Sequence, residues 1–532
     1  MRVRIEWLSA SRLIAVALAA VAGLAWAGPA ATAKDDAAAW DAIVDAVVER
    51  YDLPGIAVGI IDHGEVVHVA VRGERRVGSG QRIDRDTLFK IASNSKAMTA
   101  TLLARLVQQG RIRWDDPVRR HLPQFAMHDP WVSEHMQIGD LLVHRSGLPE
   151  GGGDLMLWPM PNHFNRADII NGLQYIKPAY DFRAGYAYDN LLYVVAGEAA
   201  AAAGGAPYAE LLRREIFEPL GMRRCQAGEW HRASVGNVAV PHYWREGKAV
   251  ADVPVSDTVE PSTMEAAGGI RCSLGDMLIW ARNWLTPDTA QLRWLNAEQR
   301  RIEWTPYTPM PISDRRRAWD GTRLYAYGYG WRIADIDGEL TVSHTGTLSG
   351  MYSAMLLLPD RKAGFVVLIN ADASAAREVL IQTLTNRFTQ PGQPANVRFY
   401  ADELEKAAEQ HRESRVPDTS DRQPASATEL STWLGIWRSP WFGDVTLCAK
   451  QDAVWFASQK SPMLEGSVMR VNNRYLVQWT RDHAEAWLQF PETVDGSLRM
   501  AKVDPGADFS YDFEDLAFSR IADCAQAAAA SP

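Results

Sequence analysis

Strand-forming runs occur in two distant parts of this chain, near its start and again beyond residue 320. The first part contains two β-branched runs, Ile56 to Ile61 and Val66 to Val71, joined by a short Asp-His-Gly turn. The second part reads YAYGYGWRIA, ELTVSH, MYSAMLLLP and AGFVVLIN, with turn residues between the runs. The economical architecture is one antiparallel sheet built from both parts of the chain.

The segments around these runs have the apolar spacing of helices. Residues 36–53, up to Pro54, and 375–388 read as helices, and the region from about 115 to 300 is mainly helical with Gly- and Pro-containing connections. The predicted fold class is therefore α/β (α+β), an antiparallel sheet flanked by helices with an α-rich insert. We expect this first domain to span residues 35–390.

A polar stretch over residues 391–428 is typical of a linker, and its ADELEKAAEQHRESR segment could form one helix. Short strand-like segments follow it: GDVTLCA, AVWFA, RYLVQWT, AWLQF, SLRMAKV and LAFSR. Residues 429–523 are therefore predicted to form a second, small all-β barrel domain, with a β-sandwich as the open alternative. Several tryptophans would fill the core of the barrel.

The first 27 residues have the pattern of a secretory signal peptide. Three arginines precede an apolar run from Leu13 to Trp26, and Ala25 to Ala27 fit the small-x-small cleavage rule. The run is short for a membrane span, although an uncleaved anchor stays open. We expect a periplasmic or secreted protein that has no stable membrane insertion after cleavage.

The charge balance argues against a nucleic-acid partner. Without residues 1–27, 53 basic residues face 64 acidic ones, and no Lys/Arg-rich segment could neutralise a phosphate backbone. The sequence therefore gives no sign of a nucleic-acid partner, and it leaves homo-oligomerisation open.

The four cysteines are an even number, as exported proteins with disulfides usually have. Three pairings are open. If each domain closes its own bond, Cys225 pairs with Cys272 and Cys448 pairs with Cys524. The cysteines and histidines lack the close spacing of a metal site, and we expect no metal or organic cofactor.

Three short motifs contain groups suited to acyl transfer, which needs a nucleophile, a base and oxyanion donors. The first has Ser93 and Lys96 one helical turn apart, and the second has Tyr188 and Asn190 before an apolar helical run. The third is the strand end from His344 to Thr347. Taken singly, each motif also has a purely structural explanation. Ser93 and Lys96 suit an exposed turn, and Tyr188 suits a tyrosine at the edge of the core. Asn190 suits a helix N-cap, and His344 suits a polar residue at the end of a strand.

In this order, Ser93-Asn94-Ser95-Lys96, Tyr188-Asp189-Asn190 and His344-Thr345-Gly346 resemble the three motifs of the serine β-lactamase and penicillin-binding superfamily, most closely its class C branch. That branch includes esterase and D-aminopeptidase relatives, so the resemblance implies a small-molecule or short-peptide substrate. The second domain is similar to the lipocalin-like β modules that follow this catalytic fold in some bacterial relatives.

The resemblance implies a role for each matching residue. Ser93 would be the nucleophile, Lys96 its proton acceptor, and Tyr188 an assisting group. Asn190 would bind Lys96 and the substrate amide, and the backbone N–H groups of Ser93 and Thr347 would form the oxyanion hole.

The third motif would also bind the substrate along its strand. His344 and Thr345 would line it, and a glycine at position 346 would let the substrate backbone approach.

Two departures from the family pattern bear on the substrate. His344 replaces a lysine that β-lactamases and carboxypeptidases often carry, which weakens the recognition of a substrate carboxylate. Asp189 stands where a small residue is usual, and it would favour an amine-bearing substrate only if it faced inward.

The sequence thus predicts an exported serine hydrolase that acts through an acyl-enzyme on small esters or amides, with D-amino-acid peptides as one candidate class. A β-lactamase or D-Ala-D-Ala carboxypeptidase is the alternative of the same class. A non-catalytic penicillin-binding-like sensor or binding protein is the alternative of another class.

Overall fold

The computed structural model describes residues 33–393, 396–481, 484–493 and 495–524, so the predicted signal peptide at 1–27 lies outside the described residues. The predicted hairpin is present as strands Gly55–Asp62 and Glu65–Gly73. Its turn needs a left-handed backbone, and His63 and Gly64 supply it with φ of 50° and 83°. A tight turn therefore starts the sheet where the sequence places it.

One antiparallel sheet of eight strands organises the first domain, as predicted. The last strand of the second part, Ala363–Ile369, pairs with the first strand of the chain, from Ile56 opposite Ile369 to Ile61 opposite Gly364. From edge to edge, the order is Glu65–Gly73, Gly55–Asp62, Ala363–Ile369, Tyr352–Leu358, Glu339–Thr347, Arg332–Ile336, Tyr325–Tyr327 and Thr308–Pro309.

Helices cover both faces of this sheet. One face packs against helices from the two ends of the domain, Ala33–Tyr51 and Ser374–Thr389, which share a core with alternate strand residues such as Val58 and Phe365. On this side, Asp314–Asp320 and Val397–Arg415 also contact helix Ser374–Thr389. The segment 397–415 is thus a helix, and its residues Tyr400 and Ala401 are buried.

The opposite face carries the α-rich insert. Its main helices are Ser95–Gln108, Leu191–Gly204 and Leu274–Leu285, and Leu278 of the last one packs against Gly59 of the sheet. The shorter α-helices are Val118–His121, Pro130–His135, Arg166–Gly172, Tyr208–Leu212, Glu218–Leu220, Arg232–Val235, Thr289–Trp294 and Ala297–Glu303. Three strand pairs complete the insert: Leu88–Lys90 with Arg271–Ser273, Trp230–His231 with Thr258–Val259, and His242–Arg245 with Lys248–Ala251.

The second domain is a closed barrel of eight antiparallel strands, as predicted. Pairing of Glu465–Val471 with Arg474–Trp479 closes it. The eight strands are Gly435–Ser439, Gly443–Lys450, Ala453–Ser458, Glu465–Val471, Arg474–Trp479, Ala486–Gln489, Leu498–Lys502 and Ala517–Ala522, and Gln423–Pro424 adds a short ninth to one of them. Trp437 and Trp479 are buried in the barrel, which fits the predicted aromatic core.

The barrel packs against the insert of the first domain. The rings of Phe164 and Phe442 lie 5.7 Å apart, and Lys460 Nζ is 2.7 Å from Asp168 Oδ1. The backbone N–H of His163 donates to the Lys460 carbonyl at 2.7 Å. Apolar, ionic and backbone contacts therefore join the two domains on the insert side.

The cysteine pairing follows the predicted partition between domains. Cys225 is bonded to Cys272, and Cys448 is bonded to Cys524. Cys272 lies opposite Phe89 in the strand pair that leads to Ser93. In the described ranges, no helix combines the length and apolar composition that crossing a bilayer requires.

Candidate active site

The turn that carries Ser93 is held in an unusual backbone conformation. Strand Leu88–Lys90 runs into a 3-10 turn, Ala92–Asn94, and then into helix Ser95–Gln108. Ala92 has a φ of 48°, which an L-residue adopts only where its surroundings impose it. Ser93 is half-buried, whereas Asn94, Ser95 and Lys96 are buried. The turn therefore presents the Ser93 hydroxyl at the surface of a packed helix start.

The Lys96 amine is completely buried and hydrogen-bonded three times. Its Nζ lies 3.1 Å from Ser93 Oγ, 2.7 Å from Asn190 Oδ1 and 2.8 Å from the Ala267 carbonyl. Burial lowers the pKa of Lys96 to about 7, with Asp154 and Asp189 opposing the shift and Arg332 adding to it. A large fraction of the amine is therefore uncharged near neutral pH.

Tyr188 lies beside both groups. Its ring centroid is 4.8 Å from Lys96 Nζ, and its hydroxyl interacts with the Ser93 side chain. Burial raises the pKa of Tyr188 above its usual value, while Arg332 and the interaction with Ser93 act in the opposite direction. The phenol therefore keeps its proton at neutral pH and can donate it.

Asn190 stands directly before helix Leu191–Gly204, with both ends of its amide engaged. Its Oδ1 accepts from Lys96, and its Nδ2 donates to Asp154 Oδ2 at 2.7 Å. Asp154 was not singled out from the sequence, because a lone acid after three glycines has no distinctive spacing. It is fully buried, and burial raises its pKa well above the usual range for a carboxyl.

Asp189 is buried, and both its carboxylate and its backbone N–H are hydrogen-bonded to other groups of the protein. Its Oδ2 accepts from Ser146 Oγ at 3.3 Å, and its Oδ1 accepts from the Leu192 backbone N–H at 3.3 Å. The backbone N–H of Asp189 donates to His144 Nδ1 at 3.2 Å. This carboxylate stabilises the start of a helix, and the structure gives no support to its selecting an amine-bearing substrate.

His344 has both ring nitrogens in internal hydrogen bonds. Nδ1 lies 2.6 Å from the Thr345 carbonyl, and Nε2 lies 2.7 Å from the Tyr327 hydroxyl. Since a carbonyl only accepts, Nδ1 carries the proton and Nε2 accepts from Tyr327. Burial, together with Arg332 and Lys96, holds the pKa of His344 well below its usual value. The imidazole is therefore neutral, and neither nitrogen is free for a substrate.

The end of the His344 strand packs against the Ser93 turn. A Cβ at Gly346 would lie 2.3 Å from the Ile91 carbonyl oxygen, so the absence of a side chain there serves this close packing. Within the sheet this strand is internal, but its pairing with Arg332–Ile336 ends at Ser343. The stretch 344–347 is thus open on one side.

Two arginines flank this open stretch and were not predicted. Arg332 donates to Thr345 Oγ1 at 2.7 Å, and Arg377 donates to the Gly346 carbonyl at 2.7 Å and to Thr347 Oγ1 at 2.8 Å. Sequence spacing did not single them out, since each lies in a different element. In the described part of the chain, no group of three His, Cys, Asp or Glu side chains could hold a metal ion.

The structure thus brings the three motifs together. Ser93, Lys96, Tyr188 and Asn190 are in direct contact, and the 344–347 stretch borders the Ser93 turn. A hydroxyl, an uncharged amine and a protonated phenol at one place are the components that acyl transfer needs.

Comparisons with known proteins show which proteins this chain is similar to. Esterase EstB of Burkholderia gladioli is 28% identical over 378 residues, covering 63% of this chain and 89% of the relative. The D-alanyl-D-alanine-carboxypeptidase/endopeptidase AmpH of Escherichia coli K12 is 26% identical over 326 residues, covering 59% of this chain and 79% of the relative.

One solved structure extends the likeness to most of the chain. The octameric penicillin-binding protein homologue from Pyrococcus abyssi aligns with a TM-score of 0.57 and 19% identity, covering 87% of this chain and 98% of that one. The family described as Beta-lactamase matches residues 40–387. This chain belongs to the beta-lactamase family.

Proposed function

We propose that this protein is an exported serine hydrolase that acts through an acyl-enzyme on small esters or amides, with D-amino-acid peptides as a candidate class. One observation carries the proposal: the hydrogen bonds of Lys96 suit a free amine. Asn190 Oδ1 and the Ala267 carbonyl only accept, so they take the two N–H donors of an uncharged amine. The lone pair is then left for the Ser93 hydroxyl at 3.1 Å.

The proposed reaction has two stages. Lys96 takes the Ser93 proton while Oγ attacks the substrate carbonyl, and the backbone N–H groups of Ser93 and Thr347 receive the oxyanion. The carbonyl bond to the leaving group then breaks, and the leaving group gains a proton through Tyr188. In the second stage, water attacks the acyl-enzyme carbonyl and gives one proton to the Lys96 amine, with Tyr188 assisting through its hydroxyl. The bond between the acyl carbon and Ser93 Oγ then breaks, Oγ takes the proton back from Lys96, and the acid is released.

The His344 imidazole is neutral, and both of its nitrogens are hydrogen-bonded within the protein. The site therefore favours substrates that need no positive charge at this position. A β-lactamase or a D-Ala-D-Ala carboxypeptidase is the second candidate, supported by the name of the AmpH relative and by Arg332 and Arg377 beside the open strand. Parallel assays with a chromogenic cephalosporin, a simple ester and a D-aminoacyl anilide separate the candidates.

The test of the proposal is Ser93→Ala in the mature chain. We expect turnover to fall at least about 1,000-fold, because the residual rate rests on binding and the oxyanion donors alone. Intact-mass analysis should show one fluorophosphonate adduct on the wild type and none on the variant. A variant that keeps a tenth of the activity would refute the nucleophile, and stoichiometric labelling without turnover of any substrate would favour the binding-protein alternative.

The domain boundaries and the location belong to the same proposal. Processing after residue 27 and export are supported by the N-terminal pattern and by the two disulfides. A linker at 391–428 is supported by its polar composition, and within it the helix Val397–Arg415 packs against the first domain. N-terminal sequencing of the exported protein tests the cleavage site. The solved relative is octameric, and sedimentation of the mature chain tests whether this chain also self-associates.

A further inference from the structure

The barrel reaches the candidate active site through one segment, residues 503–512, which we call the barrel loop. Ser510 Oγ of this loop donates to Asp154 Oδ2 at 3.0 Å, although the two residues are 356 positions apart. Asp512 accepts from the backbone N–H groups on either side of Asp154, those of Gly153 and of Leu155. The barrel loop therefore holds both the turn and the side chain of Asp154.

Asp154 connects this loop to the lysine. Its Oδ2 accepts from Ser510 and from Asn190 Nδ2, and Asn190 Oδ1 accepts from Lys96. Three consecutive hydrogen bonds thus run from a barrel hydroxyl to the amine beside Ser93. Because Asp154 and Asn190 are both buried, water does not replace a bond that is lost here.

The loop also covers Tyr188. The rings of Phe509 and Tyr188 lie 5.6 Å apart in an edge-to-face arrangement. Gly151, whose N–H donates to the Tyr188 carbonyl at 2.8 Å, has a φ of 70°, and a Cβ there would lie 2.5 Å from the Phe509 carbonyl oxygen. A side chain at position 151 would push the loop away, so Phe509 is closely seated beside Tyr188.

From these contacts we propose that the barrel loop is part of the active site: Ser510 and Asp154 are positioning residues for Lys96, and Phe509 limits substrate size on the Tyr188 side. The inference rests on the proposed function, since it assigns these residues to the reaction at Ser93. It gives the second domain a direct part in choosing and processing the substrate.

The charge of Lys96 depends on all the groups that face it. Asp154 and Asp189 favour its charged form, Arg332 disfavours it, and Tyr188 and Tyr193 place their rings 4.8 Å and 5.1 Å from Nζ. His144 and His344 interact with Lys96 electrostatically from the remaining sides. The Ser510 hydrogen bond favours the charged carboxylate of Asp154, so its loss should make Asp154 less negative and Lys96 easier to deprotonate.

The first test compares Ser510→Ala with Ser510→Thr in the full chain, using the hydrolysis of p-nitrophenyl acetate. In the alanine variant, we expect kcat/KM to fall about tenfold on the alkaline plateau, since Asn190 is less well held. The midpoint of its acidic limb should move down by about 0.5 pH unit. Threonine should restore both values, and Arg499→Ala on the barrel surface should change neither. An unchanged plateau and midpoint in a folded Ser510→Ala variant would overturn the positioning role.

The second test concerns substrate size, and it can be carried out whether or not the Ser510→Ala variant folds. Phe509→Ala should raise the ratio of kcat/KM for p-nitrophenyl octanoate to that for the acetate about tenfold, and Phe509→Leu should give an intermediate ratio. An unchanged ratio would overturn the size role. Fluorophosphonate labelling of Ser93 in the wild type separates the two proposals. An unlabelled, inactive wild type would refute the proposed function, whereas an active wild type with unaffected variants would refute only the role of the loop.

Discussion

Lys96 Nζ lies 2.7 Å from Asn190 Oδ1, although the two residues are 94 positions apart in the chain. The contact joins the first turn of helix Ser95–Gln108 to the residue that precedes helix Leu191–Gly204. The Ala267 carbonyl completes the cage from a third segment. Three distant parts of the first domain therefore hold one amine against Ser93, and the burial of this amine lowers its pKa.

Activity should rise with pH through the titration of Lys96. The base must be uncharged, and burial lowers its pKa to about 7, so kcat/KM for a neutral ester should increase from acidic pH to a plateau with a midpoint near 7. Stopped-flow measurement of the acylation rate against pH checks this. A flat profile across the neutral range, or a midpoint near the usual lysine value, would contradict it.

The same burial predicts a stability effect for Lys96→Met. Between pH 7 and 10.5 the unfolded chain holds a proton on Lys96 that the folded chain has largely lost, so this residue makes the wild type more stable as pH rises. The free energy of unfolding of the wild type, relative to that of the methionine variant, should therefore increase from pH 7 to pH 9. Urea unfolding at both pH values measures it, and a relative decrease would contradict the assignment.

Tyr188→Phe should lower turnover about 100-fold with little loss of stability. The ring keeps its contacts with Phe509 and Lys96, and only the hydroxyl that interacts with Ser93 is removed. Tyr193→Phe is the matched control, since its ring also faces Lys96 but its hydroxyl donates to the Leu142 carbonyl. We expect the control to lose about 1 kcal/mol of stability and to keep its activity within a few fold. Equal activities in the two variants would reject the role of Tyr188.

His344→Lys should destabilise the protein without adding recognition of a substrate carboxylate. The site of the imidazole is fully buried, and a charged lysine there would face Lys96 and Arg332 while leaving Tyr327 without its acceptor. We expect a loss of about 2 kcal/mol or more in urea unfolding and no increase in cephalosporin hydrolysis. His344→Gln is the neutral control and should lose less stability. A stable lysine variant with improved cephalosporin turnover would contradict this account.

Glu303 lies outside the candidate active site, and its burial should make the stability of the protein depend on pH. It is buried and accepts from Thr101 of the Ser93 helix at 2.8 Å, and burial raises its pKa from 4.5 to about 8. Between these values the folded chain holds a proton that the unfolded chain has released, so its contribution to stability falls as pH rises through 8. Glu303→Gln should therefore be more stable than the wild type at pH 8, with the difference vanishing at pH 4.5. The exposed Glu298→Gln on the same helix is the matched control.

Much of the fold could be read from local patterns. The hairpin at 55–73, the strands after residue 320 and most barrel strands were predicted, because alternating β-branched runs and turn residues report their own conformation. The barrel strands Gly435–Ser439 and Glu465–Val471 were missed, since glycine at or next to the first residue of each weakens the pattern.

By itself, the sequence determined which reactive groups the chain carries, their order, and the elements that hold Ser93, Lys96, Tyr188 and Asn190. These features depend on neighbours a few residues away, so they can be recognised from short motifs and from the periodicity of apolar residues. Only the tertiary structure decided that Asp154 and Ser510 meet beside Asn190 and that His344 has no free nitrogen. Those outcomes come from burial and from hydrogen bonds whose partners are 1 to 356 positions apart, and separations as varied as these form no motif that the sequence could show.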